Sequence, residues 1–517
     1  MLLRYAFLLL VLFCGCLSYA QEEPVTYTIG ERFNDKYRYS NMLAMADDGD
    51  EGTVVVRAYY TGIILRPKGY FIEHYDKNLK LISEFNYKLK DANFIDAYVR
   101  NGQVYLLFLE YNSRNGAYQY EVHRSPFTQF EFTKETILSI ASEPVEEPLD
   151  RNFYNRNFSS GFTTSVLFND EKSAFAITTH YKKRKVDQHT IFVFDSSLNK
   201  LMEHDFSNEV EEKNYAFENI TFSNDLQQVY LIGKAYFKKK RFNATERKFQ
   251  YEMVRISKMD RSVQSFYTLG KFPESLKPIF KGNDLLCIGF YADRKDNRYN
   301  GISYFKLDPI SLEMESTKFN PFSEQFMLDK FGREEDKSIK DLVFKGMDVT
   351  STGNILFNAE EYFTSSSVQA NSSGGRLLVT RYHHNDIISA KLSSTGDLVW
   401  ARNINKTEVT QGDGAYASYS AYTKDNTTYF FISTSAENPQ QLGEDRIMFK
   451  QGLSRNRNVF LITLDENGHM KYTKVIDDTE ARLPLMVSQP YMDRVHDEIM
   501  FYAKRGTKKQ LVQVAVK

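Results

Sequence analysis

One phrase recurs along the chain: an alternating apolar run, an Asp or Ser, a polar turn, and a second alternating run. It reads Tyr75-Asp76-Lys77-Asn78-Leu79-Lys80, then Phe194-Asp195-Ser196-Ser197-Leu198-Asn199-Lys200. It returns as Lys306-Leu307-Asp308-Pro309-Ile310-Ser311-Leu312, as Lys391-Leu392-Ser393-Ser394-Thr395-Gly396-Asp397-Leu398 and as Thr463-Leu464-Asp465-Glu466-Asn467-Gly468-His469-Met470, with a degenerate copy at Ser257-Lys258-Met259-Asp260-Arg261-Ser262-Val263. Period-two alternation marks half-buried strands, and a polar turn between two of them marks a hairpin. Hairpins repeated every few tens of residues predict an all-β chain forming a single β-propeller, each blade one small antiparallel sheet.

Drawn out in full, the pattern gives strands over 52–60, 69–75 and 80–87 in a first blade starting near Asn41. The second takes 103–109, 118–122 and 127–133; the third 165–168, 174–179, 190–194 and 201–206; the fourth 216–222, 228–235, 249–257 and 263–269. The fifth takes 276–280, 285–291, 301–306 and 314–319. The sixth reads as 342–349 and 354–362, then a Ser/Asn/Gly-rich loop over 364–375, then 376–382, 386–392 and 398–404. The seventh has 417–423, 427–433, 458–464 and 470–475. A last set, 484–489, 498–503 and 510–516, lacks a strand that Val25-Thr26-Tyr27-Thr28-Ile29 can supply. The expectation is seven to eight four-stranded blades, closed by pairing of the N- and C-terminal strands, which leaves no open sheet edge. One short helix is expected between Asn320 and Asp341, with Ser323 as its N-cap.

Residues 1–20 read as a processing segment: Arg4, an apolar stretch from Leu8 to Phe13, and the small-x-small site Ser18-Tyr19-Ala20, leaving 21–517 as the propeller domain. That stretch falls short of the about 20 residues a membrane span needs. Export to the periplasm or beyond is the expectation; anchoring by a lipid on Cys16 is the alternative, since Gly15-Cys16 follows an apolar run. With Cys14 and Cys16 in that segment, Cys287 is the one remaining thiol, so no intrachain disulfide is expected, and it reads as a small packed residue. Lys and Arg total 66 against 67 Asp and Glu, a net charge of −1 that favours neither nucleic acid nor an anionic membrane. Tyr (34) and Phe (40) against one Trp suit a chain made of strands.

From Asp386-Ile387-Ile388-Ser389-Ala390-Lys391-Leu392 through Gly396-Asp397-Leu398-Val399-Trp400-Ala401-Arg402-Asn403-Ile404 the chain resembles a family of exported Bacteroidetes proteins of unknown function. Asn358-Ala359-Glu360-Glu361-Tyr362 and Tyr416-Ala417-Ser418-Tyr419 share that likeness, which covers roughly residues 340–470. The resemblance implies a propeller in a Gram-negative envelope and carries no activity or catalytic residues.

Candidate chemistry is sparse. His383, His384 and Asp386 form the densest set of potential metal ligands, provided the segment between Tyr382 and Ile387 is a turn, because neighbours on a strand point to opposite faces. Glu360 and Glu361, beside Tyr362, are candidate ligand-binding residues at a strand end. Lys238, Lys239, Lys240 and Arg241, with the run Lys182-Lys183-Arg184-Lys185, would line hairpin tips on one face as a local positive patch. Asp47-Asp48-Gly49-Asp50-Glu51-Gly52 has the carboxylates of a calcium loop but not its later bidentate Glu, and reads as an acidic hairpin tip. No phosphate-binding, dinucleotide, nucleophile-elbow or His-Glu-x-x-His motif occurs, so no cofactor is expected. The sequence points to a non-enzymatic scaffold binding a protein or glycan partner of the cell envelope through insertions at 238–248, 364–375 and 437–456. The competing reading is a glycan- or peptide-acting hydrolase or lyase, which requires at least two of Glu360, Glu361, His383 and His384 to converge in one pocket.

Overall fold

Each recurring phrase is the turn between the third and fourth strands of an antiparallel sheet. Its Asp carboxylate accepts from two backbone amides within four residues: Asp76 from Asn78 and Lys80, Asp195 from Ser197 and Asn199, Asp465 from Asn467 and His469, each at 2.9 Å. Asp308 receives Ile310 and Ser311, and the Ser393 hydroxyl receives Thr395 and Asp397. A residue with positive φ then reverses the chain: Leu79 (61°), Leu198 (71°), Leu312 (63°), Gly396 (87°) or Gly468 (78°). Leu79 and Leu312 are fully buried, so their apolar burial offsets the left-handed backbone. At Gly468 an aromatic ring lies where a side chain would go, with a Cβ falling 2.9 Å from Trp400. Gly468→Ala should therefore cost about 2–4 kcal/mol by combining backbone strain with displacement of Trp400. Gly49→Ala, at φ 86° with open space around it, should cost only the backbone part; equal losses in urea denaturation would refute the steric account.

The computed structural model describes residues 23–517 except 50–51, 62–65, 90–92, 143–161, 170–171, 184–185, 206, 208–212, 238–246, 267–269, 294–297, 334–338, 371–375, 413, 444–445 and 452–456. Among these residues the chain is all-β, built as eight consecutive antiparallel sheets. Sheet I holds Ser40–Asp47, Thr53–Thr61, Arg66–Tyr75 and Leu81–Tyr87; sheet II holds Asn93–Arg100, Gln103–Asn112, Ala117–Pro126 and Thr133–Ala141. Sheet III holds Phe162–Phe168, Ala174–Lys183, Val186–Asp195 and Lys200–Asp205; sheet IV holds Lys213–Phe222, Gln228–Phe237, Phe249–Ser257 and Arg261–Ser265. Sheet V holds Phe272–Lys281, Asp284–Ala292, Tyr299–Leu307 and Met314–Pro321. Sheet VI is built on Leu342–Val349, Ile355–Ala370, Arg376–Leu392 and Leu398–Thr410, and sheet VII on Ser420–Lys424, Thr427–Ser435, Arg457–Leu464 and Met470–Ile476. Sheet VIII joins Tyr491–Asp493, Glu498–Arg505 and Lys508–Val516 to Val25–Ile29, whose register runs from Val25↔Val516 to Ile29↔Val512.

The second strand of each sheet contains a run of consecutive apolar residues because both of its faces are covered. In Asp284–Ala292, Leu285 and Cys287 pack toward sheet IV while Leu286, Ile288 and Phe290 pack toward sheet VI. Such cores join each sheet to the next along the chain, the arrangement of a β-propeller. A further core, with Met42, Val55 and Tyr75 against Met500, Tyr502 and Leu511, joins sheet VIII to sheet I. Burial pushes the Cys287 thiol well up from its ordinary value, consistent with a packed, unreactive side chain.

A buried ionic seam runs through the VIII–I contact. Arg57, alone among Val54, Val55, Val56, Ala58 and Tyr59, donates from Nε to Glu73 at 2.9 Å and from Nη1 to Asp35 at 2.5 Å. Lys504 donates to Asp35 at 3.0 Å; Lys509 pairs with Glu73 and, at 2.7 Å, with Glu84. Three cations thus meet three carboxylates contributed by both ends of the chain. Burial alone would raise the Asp35 pKa, but Arg57 and Lys504 hold it at about 2.

Several sequence expectations need correction. In sheet II the segment expected as a strand over 127–133 is a turn as far as Phe132: Phe130 has φ 54° and its N–H bonds the Pro126 carbonyl. Phe127 and Phe130 fill the I–II core from that turn, so their aromatic character mimicked a strand, and Thr133–Ala141 is the outer strand. In sheet VIII Leu485 makes only a bridge to Ala503, and the first ladder strand is Tyr491–Asp493. In sheet VI the expected loop over 364–375 is strand as far as Ala370, and the two strands expected over 376–392 are one. The insertion at 437–456 folds back: Ile447–Lys450 pairs in parallel with Asn405–Thr407 at the edge of sheet VI, burying Phe449. The helix α1, Glu324–Phe331, forms as expected, with the Ser323 hydroxyl accepting from the Phe326 amide and Gly332 closing it at φ 71°.

Candidate functional site

The site grows from a bulge in sheet VI. The strand Arg376–Leu392 runs straight through the segment expected to turn, and its register slips on both sides between His384 and Ile387. A bulge of this kind re-aims side chains without ending the strand. His383 and His384 consequently face opposite sides. His383 stacks on Phe363 at 4.3 Å between centroids and meets the Ser365 hydroxyl at 2.8 Å. His384 is buried and its Nδ1 lies 3.2 Å from Glu360 Oε2. Asp386 turns elsewhere, accepting from Lys330 Nζ at 2.5 Å, the Lys406 amide at 3.0 Å and Asn403 Nδ2 at 3.1 Å. The three proposed metal ligands therefore do not converge; the single candidate metal-ligand group among the described residues lies in sheet II.

Glu360 and Glu361 separate in the same way. Glu361 pairs with Lys330 of α1 at 2.7 Å. Glu360 is fully buried and gathers Lys345 (3.1 Å), Lys406 (3.4 Å), His384 and the Ser418 hydroxyl (2.8 Å). Lys406, also buried, donates to Glu408 at 2.9 Å and to the His384 carbonyl at 2.9 Å; Glu408 accepts the Ser418 amide at 2.8 Å. The tyrosine next to these carboxylates, Tyr362, lies over the His384 ring at 5.1 Å. Gly414 sits close above that ring, where a Cβ would come within 3.1 Å of Nε2.

Two of the four residues required for an acid–base pair thus meet, but not in an open pocket. Burial would raise the Glu360 pKa; the His384 bond, Lys406 and Lys345 bring it down to about 2. Burial would likewise lower that of Lys406, and Glu408 and Glu360 raise it. A carboxylate so held neither gives nor takes a proton near neutrality. What the cluster does is mechanical: through Ser418 it fixes the link between sheets VI and VII, and through Lys330 and Arg402, which binds Asp329, it fixes α1. Lys406, Glu408, Ser418 and Lys330 were not singled out from sequence. For Lys406 and Glu408 the signal was the polar stretch Asn403 to Glu408, broken only by Ile404, within that strand; nothing comparable marks Ser418 or Lys330.

Beyond the cluster the second and third strands continue as a two-stranded ribbon. Thr364 to Ala370 pair only with Arg376 to Tyr382. The ribbon holds itself together by Ser366–Thr380 and Arg381–Ser367 side-chain bonds, and near its end Val368, Leu377 and Leu378 are 63, 58 and 65 % exposed. Hairpins between second and third strands, and the links from one sheet to the next, fall at the same ends of the sheets, opposite the Asp turns. Lys182 and Lys183 end such a strand in sheet III; Lys238, Lys239, Lys240 and Arg241 belong to the corresponding hairpin of sheet IV but lie outside the described residues. At the other end, the acidic tip is tied down through Asp48, which meets His74 Nε2 at 2.7 Å and the Gly52 amide at 2.8 Å.

No described helix is long and apolar enough to cross a membrane. No protein-family model matches the sequence, and no curated protein does. Among solved structures the chain is similar to the β-propeller domain of the Trilobed protease from Pyrococcus furiosus (9 % identity, 87 % of this chain and 98 % of that one, TM-score 0.37). It is also similar to Sqt1 from Chaetomium thermophilum (8 %, 94 % and 99 %, TM-score 0.37) and to the polysaccharide lyase Uly1 (8 %, 94 % and 99 %, TM-score 0.34). Likenesses this distant say nothing of activity or partners.

Proposed function

We propose that this chain is an exported, eight-bladed β-propeller, closed by its terminal strands, that serves as a non-enzymatic binding scaffold for a protein or glycan partner of the cell envelope. The leading segment 1–20 and the resemblance over 340–470 support the location. The core between sheets VIII and I and the Val25–Ile29 pairing support the closed ring. The observation that carries the binding role is the sheet VI ribbon, a self-braced projection with apolar side chains held in solvent at its end. Its base is immobilised by the Glu360–Lys406–Glu408 cluster, so the ribbon presents its end from a rigid support.

The test replaces Thr364 to Arg381 by a two-residue turn, with Leu377→Ser/Leu378→Ser as a milder companion. Both should keep the wild-type circular dichroism and thermal transition, because none of the described residues among them enters a sheet core. Pull-down from envelope extract should then lose the wild-type partner with the shortened chain and weaken it at least about tenfold with the double substitution, a loss of about 1.4 kcal/mol. Retrieval of the same partners in the same amounts by all three proteins would overturn the assignment.

A further inference from the structure

We infer that sheet II carries a divalent transition-metal site formed by Glu110, Glu121 and His123. The register pairs Leu106 with His123 and Phe108 with Glu121, and places Glu110 two residues further on the same strand. Alternation then puts Glu110, Glu121 and His123 on one face, the face whose Leu106 and Phe108 form the core with sheet I. Two carboxylates and an imidazole at the rim of an apolar interface have to be compensated there. Their ligand atoms all lie within 4.8 Å of one another, and no other group of this kind occurs among the described residues.

The histidine is set up as a ligand. His123 is fully buried, with Phe108 4.8 Å from its ring centre. Its Nδ1 is 2.9 Å from the hydroxyl of Tyr87, which comes from the outer strand of sheet I, outside the cluster. That contact fixes the ring and leaves Nε2, 3.1 Å from Glu121 Oε2, facing the carboxylates. A hydrogen-bonded partner on the far nitrogen is the arrangement metal-bound histidines have.

One imidazole nitrogen with two carboxylates suits zinc or manganese better than calcium or magnesium, which prefer oxygen alone. Three protein ligands leave a fourth position for water or an anionic group. The two carboxylates balance the charge of a divalent cation, and the cation in turn would tie the rim of sheet II to Tyr87 of sheet I. This site is independent of the ribbon and of the partner proposed for it.

The test is calorimetric titration of Zn2+ into the chelator-stripped full chain. Wild type should bind one equivalent at this site and gain thermal stability on binding. Glu110→Gln and Glu121→Gln keep side-chain size and should each weaken binding at least about tenfold; Tyr87→Phe should weaken it by about 10–100-fold through loss of the orienting contact. His469→Ala and His496→Ala, whose imidazoles pair with Asp465 and Asp493 at the surface, should bind as wild type does. The inference is overturned if wild type shows no saturable binding, if both Gln variants bind undiminished, or if the equivalent is lost with the surface histidines instead.

Discussion

Arg57→Met is expected to destabilise the chain by about 3–5 kcal/mol, the cost of breaking a buried ion pair from one side. Arg57 is the group that holds Glu73 and Asp35 together across the VIII–I contact, and all three side chains are essentially out of water. Without it, Lys509 is the cation left to Glu73 and Lys504 the one left to Asp35. The loss would be read as a fall in the urea midpoint with unchanged slope. The companion Arg57→Met/Glu73→Gln is more telling. It leaves Asp35–Lys504 and Glu84–Lys509 as two complete pairs, so it should recover much of what the single change loses. A single variant within 1 kcal/mol of wild type, or a double variant no better than the single, would show that the seam is not held by charge balance.

The second large effect is at Glu360 and is a matter of pH. Its folded-state pKa of about 2 lies below the ordinary carboxylate value of 4.5. Between those values the folded chain binds fewer protons here than the unfolded chain, so this stabilisation is complete above the unfolded value and fades as pH falls toward 2. Integrated over that window it amounts to about 3 kcal/mol. Glu360→Gln should therefore be less stable than wild type at pH 7, and the gap should close as the pH is lowered from about 5 to about 2. Urea midpoints at several pH values in that range would decide it; parallel profiles for the two proteins would contradict the charge-based account. Lys406→Met takes from buried Glu408 the cation it pairs with, while Glu360 keeps Lys345 and His384; the unpaired Glu408 should make it cost more than Glu360→Gln at neutral pH, for the reason given for Arg57.

Taken with the intact acid–base character denied to Glu360, these expectations describe a chain whose buried charges serve assembly of the sheets. They pin links and edges alongside the apolar cores that join each sheet to the next. The proposed binding contacts lie elsewhere, on the ribbon of sheet VI and at the rim of sheet II.

The sequence by itself determined what depends on neighbours a few residues away. Asp76, Asp195, Asp308, Ser393 and Asp465, and Ser257 in the degenerate copy, each tie down amides within four positions, so the turn could be read directly and with it most strands of sheets III, IV, V and VII. Ser323 capped its helix for the same reason. Sheet II, whose third-to-fourth turn is built from buried phenylalanines instead of an Asp, was one of the places where strand boundaries went wrong. Tertiary structure alone decided everything that depends on distant partners. Asp35 and Lys504 are 469 positions apart, and Glu360 and Ser418 58 apart. Whether His383 and His384 share a face depended on a bulge rather than a turn, and the fate of residues 437–456 on an open edge in the preceding sheet. Local hydrogen bonds are written in adjacent residues, whereas the pairing of buried charges is set by which strands the packed sheets bring together.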